Sequence, residues 1–123
     1  MTSKPPTLLL LGSGPGIGVN SVALLSKHFP SIALVSRSAA RLENDRHTIL
    51  STATTPLDIR TWAVDLSSTS AFKVVLDEIA EWGRVTTVLF NAAAVVDTKF
   101  FEVEEDVIRK HFEVCALIYP PCE

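Results

Sequence analysis

Short apolar runs alternate along the chain with longer segments whose apolar residues recur at helical spacing. The runs of strand length are residues 7–11, 32–36, 61–64 and 86–90. The segments with helical spacing are residues 17–29, 38–50, 69–82 and 103–117. Strand-length runs followed each time by an amphipathic segment predict the element order β-α-β-α-β-α-β-α.

Residues at the ends of the predicted helices support these boundaries. Ser38 is placed to cap the second helix, and Ser68 or Thr69 is placed to cap the third. Gly83 directly follows the third predicted helix, at the position where a glycine commonly caps the C-terminal end of a helix.

The strands are apolar on both faces and are joined by helices, which is typical of a parallel sheet covered on each side. Right-handed crossovers then favour a doubly wound α/β arrangement with strand order 3-2-1-4. The chain has 123 residues and no repeat, low-complexity tract or linker that divides it. We therefore expect a single domain with helices on both faces of about four strands.

Composition and charge exclude several partners. The chain is 47% hydrophobic, with 20% charged residues and a formal net charge of −3. This balance gives no reason to expect nucleic acid or an anionic membrane as a partner. The apolar run at 8–11 is too short for a signal-peptide core or a membrane span, so we expect a cytoplasmic protein. Scattered histidines and two cysteines without ligand spacing predict no metal site.

Four of the five glycines follow the first predicted strand at alternate positions. Glycine allows a tight turn there and leaves room for a pyrophosphate at the helix N-terminus, where free N–H groups and the helix dipole favour negative charge. Gly12 would end the strand, Gly16 would admit the ligand and Gly18 would permit close helix packing. The alternative is a glycine-rich turn that holds no ligand. The predicted cofactor contacts here are Gly12, Ser13, Gly14, Gly16, Ile17 and Gly18.

The end of the second predicted strand bears on which dinucleotide is bound. An acid at this place binds the ribose 2′-hydroxyl of NAD, whereas an arginine accommodates the 2′-phosphate of NADP. The chain has Ser36 and Arg37 there, with no carboxylate before Glu43. A guanidinium can pair with a phosphate in a bidentate, charge-assisted way, so NADP(H) is favoured over NAD(H). A solvated arginine near a helix start is the alternative.

Together these residues resemble the short-chain dehydrogenase/reductase family. The segment Gly12-x-x-x-Gly16-Ile17-Gly18 is similar to its glycine motif, and Val64-Asp65-Leu66 to the strand-three segment that contacts adenine. Asn91-Ala92-Ala93-Ala94 is similar to its Asn-Asn-Ala-Gly segment after strand four. The resemblance implies a Rossmann-like fold and a dinucleotide cofactor held also by Asp65, Leu66, Asn91, Ala92 and Ala93. Asp65 and Asn91 as plain turn residues remain the alternative.

The resemblance covers about residues 7–117 and only the cofactor-binding half of the family's fold. The family's chemistry is hydride transfer between a nicotinamide cofactor and a carbonyl or alcohol, with a tyrosine and a lysine four residues later as the acid–base pair. The chain has one tyrosine, Tyr119, and Glu123 stands four residues after it, so we predict no catalytic residue. Cys115 falls where the family carries an active-site asparagine, and a buried apolar role suits this thiol better than a nucleophilic one.

The segment 118–123 contains two prolines and departs from the family, so we expect a truncated domain. We expect a small-molecule carbonyl or alcohol substrate only if a longer form of the protein exists. The alternatives are a non-catalytic nucleotide-binding or interaction module, and a fragment without function. An uncovered fourth strand and last helix predict marginal stability or self-association. The residues expected to be exposed there are Val88, Leu89, Phe90, Phe101, Val107, Ile108 and Phe112.

Overall fold

A computed structural model shows four parallel strands with helices packed on both faces of the sheet. The structure describes residues 3–93, 99 and 101–115. The strands are β1 (Pro6–Leu11), β2 (Ser31–Ser36), β3 (Asp58–Ala63) and β4 (Arg84–Phe90). The helices are α1 (Ile17–Leu25), α2 (Ala39–Thr52), α3 (Thr69–Trp82) and α4 (Glu105–Cys115), and a single 3₁₀ turn, Ser26–His28, follows α1.

The strand order is β3-β2-β1-β4, which confirms the predicted order and the α/β class. All three strand pairs are parallel, so the carboxyl ends of the strands meet at one edge of the sheet. The chain moves outward from β1 to β2 and β3, and then returns to the other side of β1 for β4. Open sheets of this kind bind ligands at the carboxyl edge where the strand order reverses, and here that point lies between β1 and β4.

Alternate residues of the two central strands fill two separate apolar layers, because successive side chains of a strand point to opposite faces. On one face Leu8 and Leu10 pack with Ile32 and Leu34 against helices α1 and α2. On the other face Leu9 and Val35 belong to a cluster with the apolar side of α3, including Phe72, Val75 and Ile79. The continuous apolar runs of β1 and β2 follow from this burial on both sides.

The two outer strands differ from the prediction of strands that are buried on both faces. In β3 only Ile59 is buried, and the strand begins at Asp58 rather than at Thr61. The first half of β3 has polar residues at its exposed positions, among them Arg60, and therefore contains no apolar run by which the strand could be predicted. In β4 the first five residues are exposed, and the last two are half-buried.

The helix ends agree with the prediction in part. The Ser38 hydroxyl accepts a hydrogen bond from the Arg41 N–H at 3.3 Å, which confirms the predicted cap of α2. Ser68 is the cap residue of α3, but its side chain makes no capping hydrogen bond. Gly83 ends α3 in extended backbone, and a Cβ there would collide with the Thr7 hydroxyl. The glycine is therefore required by close packing against β1 rather than by a left-handed cap.

Several large apolar side chains are exposed along β4 and around α4, as the sequence predicts. Val88 is 53% exposed, Ile108 59% and Phe112 57%, and Phe101 before the helix is 92% exposed. Val107, Leu89 and Phe90 are half-buried, so these three side chains are less exposed than the sequence predicts. Helix α4 begins at Glu105, two residues later than predicted, and the predicted end at 117 lies outside the described residues. Self-association through these surfaces stays a prediction.

Candidate functional site

A cleft of about 390 Å³ opens at the carboxyl edge of the sheet. It lies over the point between β1 and β4, and all four strands lead into it. Residues after each strand, the start of α2 and one side of α4 form its walls. The lining residues are Gly12, Ser13, Ser36, Arg37, Ser38, Arg41, Asp65, Leu66, Asn91, Ala92, Ala93, Lys110 and Val114.

Most of the residues predicted for the site meet in this cleft. Those that line it are Gly12, Ser13, Ser36, Arg37, Asp65, Leu66, Asn91, Ala92 and Ala93. The other four, Gly14, Gly16, Ile17 and Gly18, form the turn into α1 beside it, and the Ile17 side chain is 76% exposed. Ala94, Tyr119 and the tail at 118–123 lie outside the described residues, as does the Cys115 side chain.

Four lining residues were missed by the sequence analysis: Ser38, Arg41, Lys110 and Val114. Arg41 stands in the first turn of α2, four residues after Arg37, and a second arginine so soon after β2 was a signal that could have found it. Lys110 and Val114 lie one turn apart, on α4. Nothing in the local pattern of that helix indicates which of its faces meets the cleft.

Gly12 holds the turn closed where β1 ends. Its φ is +90°, in the left-handed region, and its N–H donates to the Val35 carbonyl at 2.9 Å, as does the N–H of Ser13. A Cβ on Gly12 would lie 2.5 Å from the backbone nitrogen and Cα of Ala92. Both the backbone conformation and the space therefore require glycine here.

Gly16 leaves open space at the start of α1. Its φ is +97°, and a Cβ placed on it would meet nothing within 4 Å. It is the N-cap residue, and no side chain caps this helix. The first N–H groups of a helix have no partner within the helix, and an anion satisfies them well. This arrangement fits a phosphate close to the backbone.

The other two glycines of the turn differ in what they need. A Cβ on Gly18 would lie 3.0 Å from the Asn91 amide nitrogen, so this position needs a small residue. A Cβ on Gly14 would make ordinary contact, at 3.5 Å, with the Arg41 guanidinium. Close packing therefore explains Gly18, and nothing in the structure requires a glycine at position 14.

Asn91 connects the end of β4 to the glycine turn. Its N–H donates to the Leu11 carbonyl at 2.8 Å, and its side-chain amide lies 3.5 Å from the Gly12 carbonyl. The residue therefore fixes the side of the cleft between β1 and β4. This geometry gives Asn91 a structural role in holding β4 against the glycine turn.

The Ser13 hydroxyl is used inside the protein. It donates to the Asp45 carboxylate of α2 at 2.8 Å, and both residues are 5% exposed. This contact joins the glycine turn to α2, the helix whose first residues line the cleft. Asp45 was not found from the sequence, because a carboxylate among the polar residues of α2 carries no sign of burial.

Three cations line the cleft: Arg37, Arg41 and Lys110. All three residues are exposed, and their side chains make no hydrogen bond or ion pair with any residue in the described part of the chain. The carboxylate of Glu43, the first acid after β2, is instead engaged by Arg46 at 3.2 Å and by His47 at 3.3 Å. The basic wall is thus available to an anion.

Asp65 is the carboxylate on the cleft wall. Its Oδ1 accepts hydrogen bonds from the Ser67 hydroxyl at 2.7 Å and from the Ser67 N–H at 3.0 Å. These bonds, with a smaller contribution from the positive charges of Arg37 and Lys110, hold the pKa of Asp65 below its ordinary value. Asp65 is therefore an anion at neutral pH.

The three histidines lie apart from the cleft wall, His28 and His47 exposed and His111 half-buried on α4. Within residues 3–93, 99 and 101–115, no group of three or more His, Cys, Asp or Glu side chains is placed to hold a metal ion. No helix in that same part of the chain has both the length and the apolar character needed to cross a bilayer.

The family model for short chain dehydrogenases matches residues 6–117. The chain belongs to the short-chain dehydrogenase family. The resemblance inferred from the glycine turn, Asp65 and Asn91 is therefore confirmed. No curated protein matches the sequence.

Solved structures of short-chain dehydrogenases share the fold. A short-chain dehydrogenase/reductase from Mycobacterium ulcerans has a TM-score of 0.80 and 20% identity over 96% of this chain and 44% of its own. A Burkholderia cenocepacia protein described as a dehydrogenase, with bound NADP, has a TM-score of 0.75 and 19% identity, over 95% of this chain and 45% of its own. L-Sorbose reductase from Gluconobacter frateurii, complexed with NADPH and L-sorbose, has a TM-score of 0.76 and 19% identity, over 94% of this chain and 43% of its own. This chain spans less than half the length of each.

Proposed function

We propose that this chain is the NADP(H)-binding part of a short-chain oxidoreductase and that its cleft takes the adenosine end of the cofactor. The observation that carries the proposal is the basic wall at the end of β2. Arg37 and Arg41 line the cleft there, and the nearest acid in sequence, Glu43, is engaged by Arg46 and His47. A 2′-phosphate would meet positive charge at the place where an NAD site offers a carboxylate.

The glycine turn fits the pyrophosphate of the same cofactor. Gly16 leaves open space at the start of α1, where no side chain caps the helix. Gly12 lines the cleft where β1 ends. Backbone N–H groups of Gly16, Ile17 and Gly18 would hold the phosphates. Ser13 would border the cofactor without donating to it, since its hydroxyl is bonded to Asp45 and its N–H to the Val35 carbonyl. In this proposal position 14 does not touch the cofactor, and its residue need not be glycine.

The remaining lining residues suit the adenine and its ribose. Asp65 and Leu66 stand at the cleft wall after β3, and Asn91, Ala92 and Ala93 after β4. Leu66 is buried and Asp65 exposed, so this wall offers one apolar and one polar neighbour to a base. NADP in the Burkholderia cenocepacia protein and NADPH in L-sorbose reductase support the choice of cofactor by analogy of fold.

When bound, NADPH supplies a hydride for the reduction of a carbonyl group. That reaction also needs a proton donor, and in these 123 residues no lysine follows Tyr119. We therefore propose that the chain binds the cofactor but does not reduce a carbonyl by itself. The substrate of a longer form would be a small carbonyl or alcohol compound, and a cytoplasmic location remains part of the proposal.

Exchanging Arg37 tests the cofactor assignment. Arg37→Gln removes a charge-assisted contact to the 2′-phosphate, which is worth about 1.5–3 kcal/mol, or roughly 10- to 150-fold in affinity. We expect NADP⁺ binding, measured by isothermal calorimetry, to weaken by this factor and NAD⁺ binding to stay unchanged. Lys73→Gln on α3 removes the same charge outside the cleft and is the matched control. Equal losses for both nucleotides would contradict the assignment.

A non-catalytic nucleotide-binding module is the second candidate function, and the missing Tyr-x-x-x-Lys pair favours it for this chain alone. The two candidates differ in turnover. We expect the purified chain to bind NADPH and to leave it unoxidised when small aldehydes and ketones are added, followed by absorbance. Carbonyl-dependent oxidation would show that the chain carries a proton donor of its own.

A further inference from the structure

We propose that Lys110 of α4 is a second specificity-determining cation for the 2′-phosphate, and that a nucleotide carrying this phosphate fixes α4 against the cleft. The inference rests on the proposed function and goes beyond it, because it assigns a role to a helix that follows the four strands. It predicts that NADP⁺ and NAD⁺ differ in their effect on α4 as well as in affinity.

Position is the first support. Lys110 lines the same cleft as Arg37, although the two residues belong to different elements about seventy positions apart in the chain. Both positive charges help to lower the pKa of the Asp65 carboxylate, which lines the same cleft. A phosphate bound at Arg37 would therefore also be attracted by the lysine.

The charge balance of the cleft is the second support. Arg37, Arg41 and Lys110 contribute three positive charges, and Asp65 is the one carboxylate among the lining residues described. No hydrogen bond or ion pair within the described residues engages the side chains of these cations. A phosphate monoester carries about −1.5 to −2 charges at neutral pH, which matches the two positive charges left over. Because the pyrophosphate is assigned to the glycine turn, an uncharged ribose hydroxyl would bring no negative charge of its own to these cations.

The attachment of α4 is the third support. None of the α4 residues whose burial is described is fully buried, and neither apolar core cluster includes a residue of this helix. Its Ile108 and Phe112 side chains are more than half exposed. Regions with few buried apolar contacts open at low free energy. A ligand that joins α4 to the start of α2 would therefore change its stability measurably.

Lys110→Gln and Arg109→Gln form a matched pair for a binding test. Arg109 is the adjacent residue, it is ion-paired with Glu105 at 2.8 Å, and it is not among the cleft residues. Lys110 offers a single point charge rather than the bidentate fork of an arginine, so we expect its loss to lower the NADP⁺ affinity about threefold to fivefold. NAD⁺ affinity should stay unchanged in Lys110→Gln, and both affinities should stay unchanged in Arg109→Gln.

Hydrogen exchange on the 123-residue chain tests the effect on α4. With saturating NADP⁺ we expect the amides of α4 to exchange several-fold more slowly than with saturating NAD⁺. This difference should disappear in Lys110→Gln and persist in Arg109→Gln. Inorganic phosphate alone should not protect the helix. Equal protection by inorganic phosphate would overturn the assignment to the nucleotide's 2′-phosphate.

The two proposals fail in different ways. If the native chain does not prefer NADP⁺, the proposed cofactor is wrong. If the preference exists but Arg37→Gln leaves the NADP⁺ affinity unchanged, the assigned contact of Arg37 is wrong. In either case this inference falls as well. If the preference exists and depends on Arg37, but Lys110→Gln equals Arg109→Gln in affinity and exchange, only the inference is overturned. Circular dichroism of each variant establishes that the fold is kept.

Discussion

The glycine turn allows stability and cofactor binding to be separated by three alanine substitutions. Gly12 and Gly16 both have a positive φ, but only Gly12 has backbone atoms where a Cβ would stand. Gly14 has neither constraint, and its nearest neighbour is the end of the flexible Arg41 side chain. The same chemical change therefore meets three different surroundings within five residues.

The expected costs follow from these surroundings. An alanine forced into the conformation of Gly12 or Gly16 costs about 1–3 kcal/mol in backbone strain. At Gly12 the overlap with the Ala92 backbone adds about 1–3 kcal/mol, as overpacking does in protein interiors. Gly12→Ala should thus lose about 2–6 kcal/mol, a large part of the 5–15 kcal/mol typical of a domain. Gly14→Ala should be neutral, or gain up to about 1 kcal/mol from the less flexible unfolded chain.

Urea unfolding, followed by tryptophan fluorescence, measures the free energy of unfolding of each variant. Calorimetric titration with NADP⁺ measures its affinity for the cofactor. Gly16→Ala should remain folded and lose NADP⁺ affinity by at least about tenfold, because its Cβ occupies the space left for the phosphate. Gly14→Ala should bind as the native chain does. The reasoning is refuted if Gly16→Ala binds NADP⁺ normally, or if Gly12→Ala is as stable as Gly14→Ala.

Two further predictions concern carboxylates. Asp45→Ala removes the acceptor of the Ser13 hydroxyl and leaves that buried group unsatisfied, so we expect a loss of about 1–3 kcal/mol in urea unfolding. Asp45→Asn keeps an acceptor oxygen and should cost less; equal losses would show that the hydrogen bond does not matter. The pKa of Asp65 is lowered in the folded protein, so its stabilising contribution is present above the ordinary value of 3.8 and is lost as pH falls through the lower folded value. Ser67→Ala should raise the pKa of Asp65 in an NMR titration, and an unchanged pKa would contradict the assigned cause.

The fold was largely accessible from the sequence because its central strands are buried on both sides. Leu8 to Leu11 and Ile32 to Val35 are continuous apolar runs for that reason, and they belong to the two central strands of the sheet. The outer strands carried a weaker signal. Asp58 and Arg60 are exposed on either side of the buried Ile59, so the start of β3 was placed three residues late.

Of the candidate site, the parts in the turns after the strands could be predicted, because turn chemistry is local. Gly12, Arg37 and Asp65 stand at strand ends and meet in the cleft. Contacts that depend on the approach of a distant helix could not be predicted. Lys110 reaches the cleft from α4, and Asp45 reaches Ser13 across thirty-two positions of the chain. No local pattern fixes either contact.

The central claim is that this cleft distinguishes NADP from NAD by its phosphate. Calorimetric titration of the purified native chain with NADP⁺ and with NAD⁺, at neutral pH and low salt, tests it most directly. We predict that NADP⁺ binds at least about tenfold more tightly, since one charge-assisted contact to the phosphate is sufficient for that ratio. Equal or tighter binding of NAD⁺, or no binding of either nucleotide, would contradict the account.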